Sequence, residues 1–372
     1  QEEVSILYEG EEKTETFQEK EEAFLVVKIT YNKEDTRLEI LKNKETVFEE
    51  TIFLASDDER KERKNKLKQA LYRGLSKETK KVLPWGDLTG IRPTKIAMGL
   101  IESGMSNVET AEFMRNTYYT SNEKTALAIT IANRERALLA DIDYKNGYSL
   151  YVGIPFCPSI CLYCSFSSYP LAKWRDKVDA YLDALCKELT YIGETMKVRT
   201  LDTIYIGGGT PTTLEPEQLE RLLSHIECCF PTREVKEYTI EAGRPDSITR
   251  EKLEVIRKYP VTRISVNPQT MNQATLDLIG RRHTVEDTRH AFALARECGF
   301  DNINMDLIVG LPGECAKDVQ KTLEEVKKME PDSLTVHSLA IKRATRLHLF
   351  QDRYQEMSFE NNQEIMDMAM NC

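Results

Sequence analysis

From residue 149 onward the chain repeats one pattern, a short apolar run followed by a longer amphipathic stretch. Candidate strands fall at residues 150–154, 203–206, 238–241, 263–266, 302–309 and 333–337. Helical periodicity covers 174–196, 216–229, 250–258, 275–280, 285–298 and 316–329. Strands separated by helices cannot pair as hairpins, so they pair in parallel, with right-handed crossovers. The expected fold class is α/β, an open, partial TIM-like (βα)6 barrel whose chemistry lies on the loops that follow the strands.

The loop after the first strand lies in the segment LYVGIPFCPSICLYCSF, residues 150–166, and holds Cys157, Cys161 and Cys164 with Tyr163 before the last thiol. Thiolates spaced by three and then two residues can turn toward one centre, and soft sulfur favours iron–sulfur clusters, zinc or copper(I). A structural zinc site normally closes with four protein ligands. Neither a second CxxC nor a nearby His completes one here. A cubane held by three thiolates keeps one iron open for a small-molecule ligand. Nine cysteines are too few for a disulfide scaffold in a chain of 372 residues, and their clustering points to metal binding in a reducing compartment. Cys186, Cys228, Cys229, Cys298 and Cys315 sit in or beside helical patterns and read as small apolar side chains.

Polar and glycine signals recur at the later strand ends. Gly207-Gly208-Gly209-Thr210-Pro211-Thr212 follows the second strand. Three glycines let the backbone approach a ligand and leave N–H groups free for a carboxylate, while the threonines add hydroxyls. The third strand ends at Glu241, the fourth at Asn267-Pro268-Gln269, and the fifth carries Asp306 before Gly310-Leu311-Pro312-Gly313. Each follows apolar strand residues and is expected at the barrel mouth. Arg281-Arg282-His283 either brings positive charge to that rim or forms a cationic helix C-terminus.

Before residue 147 the pattern is different. Short β-like runs at 4–8, 24–31, 37–41 and 46–53 precede amphipathic stretches at 57–80, 95–103, 107–117 and 122–141, the first with Leu67, Ala70, Leu71 and Leu75 on one stripe. The expected plan is an α+β accessory domain at 1–146, the (βα)6 core at 147–345 and the start of a C-terminal helical region at 346–372. The stretch LPWGDLTGIRPTK, residues 83–95, reads either as an anion site at Arg92 or Lys95, or as a loop with Pro93 at a helix start. A formal charge of −10, from 61 acidic and 51 basic residues, argues against a broad nucleic-acid surface and suits a soluble cytoplasmic protein. No apolar run approaches the roughly 20 residues of a membrane span, and no signal peptide is visible. Gln1 is no initiator and Cys372 falls inside a helical pattern, so the chain reads as part of a longer protein.

The CxxxCx(aromatic)C loop resembles that of the radical S-adenosylmethionine (SAM) enzymes, and GGGTP resembles their methionine-binding turn. YVGIPFC, SVNPQT, GRRHT and DLIVGLPGE narrow the resemblance to the oxygen-independent coproporphyrinogen III oxidase group, and LPWGDLTGIRPTK to its HemZ-type branch. The resemblance runs over essentially the whole chain. It implies that Cys157, Cys161 and Cys164 ligate a [4Fe–4S] cluster and that Tyr151 and Tyr163 support SAM. Gly208, Gly209 and Thr210 would hold its methionine end, with Glu241, Gln269, Arg281 and Asp306 on its other polar groups. Two departures stand out. Gly153 replaces the usual His, and Glu241-Ala-Gly-Arg-Pro is one residue longer than the usual ExxP.

The implied reaction is one-electron cleavage of SAM to a 5′-deoxyadenosyl radical, hydrogen abstraction from a propionate of coproporphyrinogen III, and loss of carbon dioxide and one electron to give a vinyl group. A flavodoxin- or ferredoxin-like electron donor is the implied partner. An anionic tetrapyrrole and a net acidic protein require local cations, and Arg343 and Arg346 after the last strand are the candidates. The alternatives are a radical SAM methyltransferase, a haem-binding or haem-trafficking relative, and a non-enzymatic zinc or redox-sensing module.

Overall fold

The computed structural model describes residues 4–9, 25–31, 35–53, 60–89, 92–143, 145–343, 345–349 and 363–370. The expected element starts at residues 24 and 57, positions 90 and 91 of the 83–95 stretch, and Cys372 lie outside the described residues. The chain divides into two compact units, Gln1–Asp141 and Ile142–Cys372.

In the first unit β1 (Val4–Glu9), β2 (Leu25–Tyr31), β3 (Asp35–Lys42) and β4 (Glu45–Phe53) form one sheet in chain order, with β1 parallel to β2 and the later pairings antiparallel. Two-residue periodicity buries Leu25, Val27, Ile29, Leu38 and Ile40. Helix α1 (Arg60–Thr79) covers that face with Leu67, Ala70, Leu71 and Leu75, the stripe read from the sequence. Helices α2 (Thr94–Glu102), α3 (Asn107–Tyr118) and α4 (Asn122–Leu139) share a second core of Ala97, Ile101, Met114, Ala128 and Ala132. Ser106 and Glu109 close a capping box at α3, and Ser121 caps α4. Pro93 immediately precedes α2, while Arg92 and Lys95 are exposed, which favours the helix-start reading of that loop over the anion site.

The second unit holds β5 (Tyr148–Ile154), the short ladder of β6 (Phe156–Cys157) with β7 (Tyr169–Pro170), then α5 (Leu171–Trp174) and α6 (Val178–Thr195). Next come β8 (Leu201–Gly208), α7 (Pro216–Cys229), β9 (Glu237–Gly243), α8 (Arg250–Arg257), β10 (Arg263–Val266), α9 (Gln273–Leu278) and α10 (Val285–Glu297). The unit continues with β11 (Ile303–Val309), α11 (Ala316–Met329), β12 (Ser333–Ser338), α12 (Arg346–Leu349) and α13 (Gln363–Met370). The strands form one parallel six-stranded sheet in the order β12-β11-β10-β9-β8-β5, the open (βα)6 arrangement expected. The single helix expected at 174–196 is broken. A 3-10 turn at Arg175–Lys177 resets the phase, so that Val178, Leu182, Leu185 and Leu189 of α6 face the core.

The two faces of this sheet differ in kind. Leu150, Val152, Ile154, Ile204, Ile206, Tyr238, Ile240, Ile264, Ile303 and Met305 join the helices in one apolar core. The alternate positions carry Tyr151, Tyr205, Glu241, Ser265, Asn304 and Asp306, so the opposite face is polar along its length. That polarity leads up to the strand ends.

The turn within 83–95 is tight. Gly86 has φ +58°, Asp87 N–H donates to Tyr118 O at 3.0 Å, and a Cβ on Gly86 would lie 1.8 Å from that same carbonyl oxygen. Gly86→Ala is therefore expected to destabilise the protein by at least about 1–2 kcal/mol from backbone strain alone. Thermal denaturation checks it, and an unchanged midpoint would refute the turn geometry.

Candidate functional site

Cys157, Cys161 and Cys164 line one cavity of about 140 Å³ at the C-terminal ends of the strands, together with Gly208, Gly209, Thr210, Glu241, Gln269, Arg281 and Asp306. The cysteine loop is fixed on several sides. Leu162 N–H donates to Ile279 O (2.9 Å), Ser159 Oγ to Gly280 O (2.8 Å), and Leu347 N–H to Leu162 O (3.0 Å). Leu162 also packs with Leu276, Ile279, Ile308, Leu311 and Leu347. Burial pushes the Cys157 and Cys164 thiols above their ordinary pKa, against the pull of Thr210 on the first and of the Phe166 backbone on the second.

The glycine turn is built differently from the expectation. Gly209 N–H donates to Ile154 O (2.7 Å) and Thr210 N–H to Phe156 O (2.8 Å), so these groups are not free for a carboxylate. They join the turn to the chain entering the cysteine loop. A Cβ on Gly209 would lie 2.6 Å from Phe156 O, 2.8 Å from Ile154 O and 3.0 Å from Cys157 Sγ. Gly208 sits at φ +103°, where an L side chain is strained. Thr210 Oγ1 donates to Cys157 Sγ at 3.6 Å.

Arg281 is buried. Its Nη1 donates to Tyr163 Oη at 3.2 Å and its Nη2 to Asn267 O, while Nε has no partner among the described residues. The charge of Arg281 thus turns into the cavity, as the first of the two readings of the triplet expected, while Arg282 stays exposed. Glu241 accepts a hydrogen bond from Tyr205 Oη, and burial raises its pKa, with the charge of Asp306 adding to the effect. Asp306 accepts from Asn304 Nδ2 at 2.7 Å, and Asn304 Oδ1 in turn accepts from Ser333 and Thr335. Asn267 Oδ1 and Gln269 Oε1 are buried without partners among the described residues, and both side chains line the cavity.

Tyr151 is not brought to this cavity. Strand alternation places it on the polar sheet face, where it is 62% exposed and stacks on Tyr205 at 5.8 Å between ring centroids. Arg346 reaches the cysteine loop only at its edge, Nη1 lying 3.5 Å from Ile160 O, and Arg343 is exposed. Neither lines the cavity. Sequence reading missed Tyr205 because a strand tyrosine reads as apolar, and Asn304 because it falls within the candidate strand.

Among the described residues no three His, Cys, Asp or Glu side chains close on a single-ion position. Instead, soft thiols share the lining of the cavity with residues that carry unpaired amide and guanidinium atoms. That donor set fits a thiolate-held metal group beside a polar organic molecule. Among the described residues no helix is long and apolar enough to cross a membrane.

Comparison with known proteins gives the same direction. The radical SAM superfamily pattern matches residues 151–326. The chain is 40% identical over 328 residues to the oxygen-independent coproporphyrinogen-III oxidase-like protein HemZ of Bacillus subtilis (strain 168), covering 86% of this chain and 66% of that protein. It is 37% identical over 211 residues to the heme chaperone HemW of the same organism, covering 54% of this chain and 55% of the chaperone. The solved coproporphyrinogen III oxidase (HemN) of Escherichia coli superimposes with a TM-score of 0.54 at 29% identity, over 64% of this chain and 54% of that one. The chain thus spans just under two thirds of the first relative and about half of the other two.

The environment of Glu241 makes a prediction. Its folded pKa is raised, so the folded state holds a proton that the unfolded chain releases, and stability falls as pH rises through that pKa. Glu241→Gln removes this dependence and leaves Tyr205 an acceptor. The melting temperature of the variant minus that of the parent should therefore grow as pH increases above the ordinary glutamate value of 4.5. A difference that stays flat from pH 5 to about pH 8 would refute it.

Proposed function

This chain belongs to the radical SAM superfamily, in the coproporphyrinogen oxidase-like group, and on that footing we propose that its cavity is the active site of a tetrapyrrole-processing enzyme. The family uses a [4Fe–4S] cluster and SAM. In this reading Cys157, Cys161 and Cys164 hold the cluster, which supplies the electron for reductive cleavage of SAM. Gly208, Gly209 and Thr210 keep the SAM-facing turn against the cysteine loop. Glu241, Gln269, Arg281 and Asp306 contact the polar groups of SAM, and Tyr163 orients Arg281. The observation that carries the reading is the cavity itself, lined together by three thiols and by Asn267, Gln269 and Arg281, each with a buried, unpaired polar atom.

The substrate we infer is coproporphyrinogen III. The reaction would pass a hydrogen atom from a propionate side chain to the 5′-deoxyadenosyl fragment of cleaved SAM, release carbon dioxide and give one electron to a separate one-electron acceptor, leaving a vinyl group. A flavodoxin- or ferredoxin-like protein supplies the reducing electron. Arg343 and Arg346 are proposed to pair substrate carboxylates, since a planar guanidinium fork suits them. The similarity to a heme chaperone, and Gly153 in place of the His noted above, favour one second reading, haem binding and transfer without turnover. Anaerobic incubation with SAM, reductant and coproporphyrinogen III separates the two. Release of 5′-deoxyadenosine with vinyl product supports the enzyme, and tight haem binding without it supports the chaperone.

Two outcomes are expected on these assignments. Reconstituted protein should hold about four irons and four sulfides. Cys161→Ala should abolish the cluster while Cys298→Ala keeps it, and full iron loading in the first variant would overturn the ligand set. Arg343→Ala combined with Arg346→Ala should weaken tetrapyrrole binding by roughly ten- to a hundredfold, measured as the substrate dependence of SAM consumption. Kinetics matching the parent would remove these residues from the substrate site.

A further inference from the structure

The strand end that departs from the group's usual pattern has a structural outcome. Between β9 and β10 the register steps from Ser265 opposite Glu241 to Val266 opposite Gly243, so Ala242 is passed over as a bulge. Gly243 follows at φ +66°. A bulge re-aims the side chains that follow it. Here Arg244 turns inward and is only 3% exposed.

Its guanidinium lies between two partners. Nε and Nη2 donate to Asp246 Oδ1 and Oδ2 at 2.9 and 2.7 Å, a bidentate pair. Nη1 donates to Ser159 Oγ at 2.7 Å and Ser159 O at 3.2 Å. Ser159 stands in the cysteine loop between Cys157 and Cys161, and its hydroxyl donates onward to Gly280 O. Arg244 and Ser159 both line the cavity. Two further buried cations stand close to Asp246: Arg281, and Lys252, whose Nζ donates to the neighbouring Ser247 O at 3.3 Å. His283, 3.9 Å from Asp246, is held neutral at a pKa of about 4 by burial and then by Arg281.

Building on the cluster assignment above, we propose that Arg244 and Asp246 are positioning residues for the cysteine loop, the arginine clamping it through Ser159 and the pair setting how readily the bound cluster accepts an electron. Three thiolates on an oxidised [4Fe–4S] core carry net negative charge, and reduction adds more. A buried cation beside the loop favours the reduced form, and a buried carboxylate opposes it. The pair is oriented with its cationic side to the loop.

The test is a redox titration of the reconstituted full chain, followed by electron paramagnetic resonance, with iron loss to a chelator measured in parallel. Arg244→Gln should lower the midpoint potential and Asp246→Asn should raise it, each by about tenfold in the reduction equilibrium, or about 59 mV for one electron. Ser159→Ala leaves every charge in place. It should keep the parent's potential and release iron faster, and it tests the clamp even if Arg244→Gln yields no folded protein. Shifts of the same sign in both charge variants, or none in either, would overturn the charge-setting role. Parent-like iron retention in Ser159→Ala would overturn the clamp. A parent protein that forms no cluster would overturn the earlier assignment, whereas a parent that forms one and cleaves SAM, beside unaffected variants, would overturn only this inference.

Discussion

Two backbone hydrogen bonds, Gly209 N–H to Ile154 O and Thr210 N–H to Phe156 O, hold the site together. They tie the end of β8 to the chain leaving β5, so the glycine turn and the cysteine loop behave as one piece. The close approach admits no Cβ at Gly209, because Phe156 O, Ile154 O and Cys157 Sγ already occupy its surroundings. The remaining cavity groups are arranged around this joint. Arg281 reaches in from beyond α9, Glu241 and Asp306 rise from β9 and β11, and the segment after β12 meets the loop at Leu162.

Much of this was legible in the sequence. The strand and helix alternation after residue 149 depends only on side-chain periodicity, which is local, so the six-stranded parallel sheet follows from it. The three thiols are legible for the same reason, since their spacing lies within one loop. What the chain did not reveal depends on which way a residue faces. In the short run 203–206 the residues Ile204, Tyr205 and Ile206 look alike, yet Tyr205 turns to the polar face and binds Glu241, while Ile204 and Ile206 turn to the helices. The free N–H groups expected in the glycine turn were lost to partners some fifty residues earlier, a tertiary fact no local pattern carries. The sequence sets Arg244 among the cations near the barrel mouth, but its inward direction depends on a bulge in a pairing between two strands.

The first unit is a contrast. Its elements follow from alternation and capping, and Leu67, Ala70, Leu71 and Leu75 cover the sheet as the stripe implied. The LPWGDLTGIRPTK stretch owes its Trp, Gly and Pro density to construction. Gly86 makes the turn and Pro93 leads into α2, while Trp85 and Leu88 pack against the small helical core.

Gln269 holds a left-handed backbone at φ +71° although it is not glycine. Its N–H donates to Asp306 O and its carbonyl accepts from Ile308 N–H, so β11 grips this residue on both sides and dictates where the side chain goes. Glycine there would relax the backbone but delete the buried amide that faces the cavity. Backbone ease and a buried amide at the cavity therefore compete at a single position. Selection of this protein for heat tolerance alone should drift toward glycine at 269, and the cavity would lose one of its polar walls as it did.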